Sequence, residues 1–220
     1  MPKATIYIVS VSGFAGKTAL IAGIGRRYAA AGVSVGYIKP LSVAAGKLPS
    51  DRDDDAALAK ELFALKEADE VLAPVVLEMA DIHAILQDDQ QRDFRSLVCS
   101  AFETASAGKD LMLIEGASDW QAGELVDLPA AEVGALLDTR VLLAVRWRDV
   151  MTTDEILGAR DALGGRLIGC VINTVPNEEL DEVDTAIRRF LERKGVRVFA
   201  VIPQDRVLQG MTVNQIAELV

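Results

Sequence analysis

The chain holds 220 residues, with 23 basic against 33 acidic side chains and a formal net charge of −10. Hydrophobic residues make up 50% and charged residues 25%, which excludes a disordered chain and fits a single domain over 1–220 with a core of its own. Two cysteines, Cys99 and Cys170, are too few for a disulfide scaffold and read as buried free thiols, and the acidic balance argues against a nucleic-acid partner.

Strands and helices alternate along the chain. Ala4–Val9 is a short apolar run, Gly16–Ala31 has helical periodicity, and Ser34–Ile38 is the next strand. Helices are expected at Asp54–Leu65 and Gln91–Ala107, and an apolar run at Leu111–Ile114. Further apolar runs at Val141–Val145, Leu167–Ile172 and Arg197–Ile202 are separated by helical patterns at Thr153–Leu163 and Glu178–Lys194. Val213–Leu219 reads as a last helix. Short, nearly continuous apolar strands between helices predict a doubly wound α/β fold, with a mostly parallel sheet covered on both faces. Leu41–Asp53, with Gly46 and Pro49, is the least regular stretch. Within Asp51–Glu70 three bases face eight acids, which fits either a solvated capped helix or a metal role. No run reaches the roughly 18 uninterrupted apolar residues of a membrane span, and the N-terminus reads directly into a strand rather than a signal peptide. We therefore expect a cytoplasmic protein with no membrane partner.

The first strand leads into Ser10-Val11-Ser12-Gly13-Phe14-Ala15-Gly16-Lys17-Thr18 and then a helix. A strand, a glycine-containing loop and a helix opening on Gly-Lys-Thr form a phosphate cradle. Ser12, Gly13, Phe14, Ala15 and Gly16 present backbone N–H groups, Lys17 supplies a point charge to the β- and γ-phosphates, and Thr18 offers a hydroxyl to Mg²⁺. Val11 stands where the strict motif has its first glycine, and the competing reading is an ordinary turn with a surface lysine. Lys17 is expected at the surface. Glu115 follows the run Leu111–Ile114, at the rim where open α/β sheets bind ligands, as a magnesium ligand or a capping acid. His83 is the single histidine, so no Cys/His zinc site is available. Trp120 and Trp147 are expected to pack at the core or rim, while Arg146 and Arg148 suit either an anionic ligand or local acids.

The loop SGFAGKT, Tyr37-Ile38-Lys39-Pro40, Asp54-Asp55-Ala56, Ile114-Glu115-Gly116-Ala117 and Val171-Ile172-Asn173-Thr174-Val175-Pro176 together resemble dethiobiotin synthetase. The likeness runs from Ala4 to Pro203. Asp154-Glu155-Ile156-Leu157-Gly158, Arg146 and Ile202-Pro203-Gln204-Asp205-Arg206 bring it nearer to the dethiobiotin-synthetase-like N-terminal domains of phosphotransacetylase-family proteins, which often precede a DRTGG domain. The resemblance implies a P-loop NTPase fold with ATP and Mg²⁺ as cofactors. It assigns catalytic roles to Lys17 and Lys39, magnesium ligation to Thr18, Asp55 and Glu115, and adenine recognition to Asn173. It further implies a homodimer and a small carboxylate or carbamate substrate.

Three departures fall on the substrate side. Phe14 replaces an acid of the synthetase, Leu41-Ser42-Val43-Ala44 replaces its substrate-holding stretch, and Ala117-Ser118-Asp119-Trp120 replaces a glycine-rich turn. Ser12 stands where partitioning and targeting ATPases carry a signature lysine, which speaks against that class. Thr174 and Pro176 lack the lysine and aspartate of guanine-specific relatives, so adenine is the expected base. The leading expectation is a magnesium-dependent ATP-binding domain, regulatory or of unassigned activity. The alternatives are an ATP-dependent synthetase working through an acyl-phosphate-type anhydride, and a structural domain that has lost its nucleotide.

Overall fold

The structure, a computed structural model, describes residues 2–43, 54–87 and 92–205. The chain opens with β1 (Ala4–Ser10), α1 (Lys17–Ala30), β2 (Val35–Ile38) and a short β3 (Leu41–Val43). It continues through α2 (Asp54–Leu62), α3 (Asp69–Leu72), β4 (Val75–Leu77), α4 (Met79–Leu86), α5 (Phe94–Ser106) and β5 (Leu111–Glu115). Then come α6 (Ala130–Leu136), β6 (Arg140–Arg146), α7 (Thr152–Leu163) and β7 (Leu167–Val175). The described part closes with α8 (Leu180–Glu182), α9 (Arg188–Arg193) and β8 (Val198–Pro203).

Six strands form one sheet in the order β2-β5-β1-β6-β7-β8, every pair parallel. The expected doubly wound α/β fold is therefore present. Alternation along the strands divides the core in two. Ile8, Tyr37, Leu113 and Ala144 face a layer that includes Ile21 of α1 and Ala56 and Ala59 of α2. Tyr7, Val9, Met112, Ile114 and Leu143 face the opposite layer, with Val98 of α5, Val133 of α6, Ile156 of α7 and Leu191 of α9. A strand buried on both faces must be apolar at consecutive positions, which is why these runs are legible in the sequence. β1 has later strands on both sides, and ligands of open α/β sheets bind at the carboxyl ends around such a strand.

Several elements differ from expectation. β3 and β4 pair in parallel as a separate two-stranded sheet, each three residues long and too short to show a period. α4 begins at a capping box in which Glu78 and Asp81 each accept from the other's backbone N–H. α5 starts at Phe94 because Asp93 Oδ1 accepts from Ser96 N at 2.9 Å; the expected start, Gln91, lies outside the described residues. The expected helix Glu178–Lys194 is interrupted by a π-helical stretch, Val183–Ile187, between α8 and α9. Val213–Leu219 and most of Leu41–Asp53 also lie outside the described residues. Both cysteines are free; Cys99 is only half-buried, whereas burial pushes the Cys170 thiol up to about 12. Among the described residues no helix is long and apolar enough to cross a membrane.

Candidate functional site

The carboxyl ends of β1 and β5, the segment after β2 and the start of α2 meet in a cleft of about 670 Å³. Its floor is the loop between β1 and α1. Gly16 takes φ +89°, and a β-carbon there would stand 2.4 Å from Asn173 Nδ2, so the position requires glycine. Phe14 also has positive φ, at 57°, and its side chain is 92% exposed. For an aromatic residue that backbone conformation is strained, by about 1 to 3 kcal/mol.

Lys17 opens α1. It is half-buried rather than at the surface, because its Nζ reaches back under the loop. It donates to Ser10 Oγ at 2.9 Å and to the Ser118 carbonyl at 3.3 Å, while Ser10 Oγ donates to the same carbonyl at 3.0 Å. Burial lowers the Lys17 pKa from its ordinary value, against the upward pull of Glu115. Neither Ser10 nor Ser118 stands out in the sequence. Ser10 is a fully buried hydroxyl at a strand end, and a buried polar side chain at that rim is the only signal available.

Thr18, Asp55 and Glu115, drawn from three elements, converge. Thr18 Oγ1 lies 3.0 Å from Asp55 Oδ1 and 2.7 Å from Glu115 Oε1. One hydroxyl proton serves one carboxylate at a time, so the second oxygen faces a lone pair. Glu115 is 1% exposed, and its pKa is raised by burial and then by the neighbouring Asp55. Two carboxylates held this close favour a cation, and the donors are all hard oxygens, as Mg²⁺ requires. Among the described residues there is no cluster of three or more His, Cys, Asp or Glu side chains able to hold a metal. Lys39, after β2, donates to Asp55 Oδ2 at 2.6 Å, and the Tyr37 hydroxyl donates to Glu115 Oε2 at 2.8 Å.

Asn173, near the end of β7, turns toward the phosphate loop. Its Nδ2 donates to the Ala15 carbonyl at 3.1 Å and its Oδ1 accepts from Thr174 N at 2.9 Å. One amide proton and one lone pair remain for a further partner. Arg148 pairs with the local acid Glu155. Trp147 is core, 4% exposed, with Nε1 donating to Glu179 Oε2 at 2.7 Å. Trp120 packs partly buried against the core. The lining also includes the apolar side chains of Phe14, Val43, Val76 and Ala117, with the hydroxyls of Ser42 and Ser118 among them.

Sheet order, phosphate loop, loop lysine and paired carboxylates together define a P-loop NTPase domain. Comparison with known proteins narrows this. The profile of AAA_26, described as an AAA domain, matches residues 4–212, and the chain belongs to this family of dethiobiotin synthetase-like P-loop domains. It is distantly homologous to the N-terminal region of phosphate acetyltransferase. It is 22% identical to the phosphate acetyltransferase of Pseudomonas putida over 229 residues, covering 98% of this chain and 32% of that protein. With the Pseudomonas aeruginosa enzyme the figures are 25% over 232 residues, 97% and 32%. The chain thus spans about a third of the length of these relatives.

Solved structures share the fold. A protein described as a plasmid partition protein of Borrelia burgdorferi, bound to AMPPNP, superposes with a TM-score of 0.55 at 12% identity, covering 97% of this chain and 92% of that one. The cell division protein MinD of Aquifex aeolicus gives 0.51 at 19%, covering 94% and 84%. FtsY of Thermotoga maritima gives 0.56 at 15%, covering 93% and 63%.

Proposed function

We propose that the domain binds ATP with Mg²⁺ and serves as a regulatory nucleotide module. The observation that carries this reading is the meeting of Asp55 and Glu115 on the hydroxyl of Thr18, one residue from the loop lysine. In this reading Ser12 to Gly16 hold phosphate oxygens through backbone N–H groups, Lys17 and Lys39 neutralise the terminal phosphates, and Thr18, Asp55 and Glu115 hold the metal. Asn173 offers its remaining donor and acceptor to adenine. The chain is similar to one third of two phosphate acetyltransferases, and a regulatory role and a homodimer are carried over here from the resemblance to dethiobiotin synthetase-like domains.

The second reading is an ATP-dependent synthetase that activates a carboxylate or carbamate. Two lysines beside a single metal site could clamp a transferring phosphoryl group, which favours it. Phe14 and Leu41-Ser42-Val43-Ala44, where the synthetase carries an acid and its substrate-holding stretch, speak against dethiobiotin synthesis itself, since placed hydrogen-bond partners dominate such specificity. Calorimetry with ATP, in the presence of Mg²⁺ and then of a chelator, tests the first reading: binding with magnesium and much weaker binding without it is expected. Equal affinity in both would overturn it. Release of phosphate only on adding a carboxylate would favour the second.

A further inference from the structure

Tyr37 sits in the middle of β2 and is wholly buried. In the ladder it stands opposite Leu113 of β5, so Glu115, two residues further along β5, is its diagonal neighbour on the same face. On that face Tyr37 shares a layer with Ile8, Leu113 and Ala59. A phenylalanine would fill the position equally well in volume. A phenol in such a layer needs a hydrogen-bond partner, and here it donates to Glu115 Oε2 at 2.8 Å.

The two oxygens of Glu115 are therefore divided. Oε2 is held by Tyr37 from the core side, and Oε1 is turned to Thr18 at 2.7 Å on the cleft side. A carboxylate on a free side chain rotates about its last torsion and presents either oxygen. One pinned oxygen fixes the plane of the group and leaves the other facing the place where the Thr18 hydroxyl and Asp55 meet. We propose that Tyr37 is a positioning residue that orients Glu115 toward the magnesium ion of a bound nucleotide. This rests on the magnesium–nucleotide reading above. Tyr37 does not touch nucleotide or metal in this account; it acts through Glu115, as outer-shell partners of metal-binding carboxylates do.

The test is the gain in ATP affinity that Mg²⁺ confers, measured by calorimetry with the metal and with a chelator, in the wild type and in Tyr37→Phe. The substitution removes one oxygen and leaves the ring packing in place. Loss of an outer-shell partner typically lowers metal affinity about 10- to 100-fold, so the magnesium gain should fall by about tenfold or more while the chelated affinity stays the same. A structural defect would lower both affinities together. Retention of the full gain in Tyr37→Phe overturns the proposal. Absence of any gain in the wild type would instead overturn the magnesium reading, and the positioning role with it. Tyr37→Phe placed in a Glu115→Gln background gives an independent check. There it should leave the magnesium dependence unchanged, and a further loss would show that the phenol acts elsewhere. Thermal melts of each variant accompany the titrations, and Mn²⁺ binding to the nucleotide complex, read by electron paramagnetic resonance, should weaken in parallel.

Discussion

The two walls of the cleft are built on opposite plans. On the phosphate wall, each polar side chain bonds to the next: Lys39 to Asp55, Asp55 and Glu115 to Thr18, Lys17 to Ser10. The rest of the lining includes Ser42 and Val43 of β3, Val76 of β4 and the ring of Phe14, and Val43 and Val76 are 42% and 39% exposed. Polar groups in the first wall restrain one another through these bonds. The second part offers mainly apolar contact area, with Ser42 as a polar exception.

The sharpest way to break this contrast is at Lys17. Lys17→Ala removes a charged donor, and charge-assisted hydrogen bonds are worth about 1.5 to 3 kcal/mol each, so nucleotide affinity should fall by about 100-fold. Calorimetry on folded protein checks this. Asn173→Ala comes next. It releases the Ala15 carbonyl and removes the amide proposed for adenine, so ATP affinity should fall by about tenfold and any preference for ATP over GTP should vanish in competition. Phe14→Gly tests the other wall. Glycine takes positive φ freely, so stability should hold or rise by up to about 1 kcal/mol, and nucleotide affinity should stay within about twofold. A large loss of affinity would show that the two walls are coupled.

The smallest effect lies away from the cleft, at the contact of Lys109 Nζ with Glu67 Oε1, 2.9 Å apart and mostly buried. Burial pushes the Glu67 carboxyl up, but the hydrogen bond from Lys109 and the local backbone N–H groups outweigh it and bring its pKa below the ordinary 4.5. A folded-state pKa below the unfolded one gives stability that is present above pH 4.5 and lost as pH falls through the folded value. Lys109→Met should cost about 1 kcal/mol at neutral pH and little in acid, read by urea unfolding at both.

The phosphate wall was far more legible in the sequence than its neighbour. Gly16-Lys17-Thr18 announces itself because only glycine tolerates the turn and the chemistry needs those side chains at adjacent positions. Glu115 was visible because a charge ends a fully apolar run. Asp55 was reached only through family resemblance, since four acids stand within Asp51–Asp55 and spacing alone does not choose among them. The β3–β4 sheet left no readable trace, because three-residue strands are specified by their partner rather than by their own pattern. The burial of Lys17 was missed for a related reason: its acceptors, Ser10 and the Ser118 carbonyl, are brought together by pairing across the sheet.

That pairing has a consequence for how the domain comes into being. Ser10 and Ser118, joined beneath the loop lysine, are 108 positions apart along the chain, and β1 has no neighbour in the sheet until β5 and β6 exist. At a synthesis rate of roughly 5 to 20 residues per second, the first strand leaves the ribosome some 5 to 20 seconds before its partners. During that interval Ala4–Ser10 is an unpaired apolar segment, open to chaperones or to the same segment of another nascent chain. High contact order of this kind predicts slow, late assembly, with the phosphate loop as one of the last features to take shape.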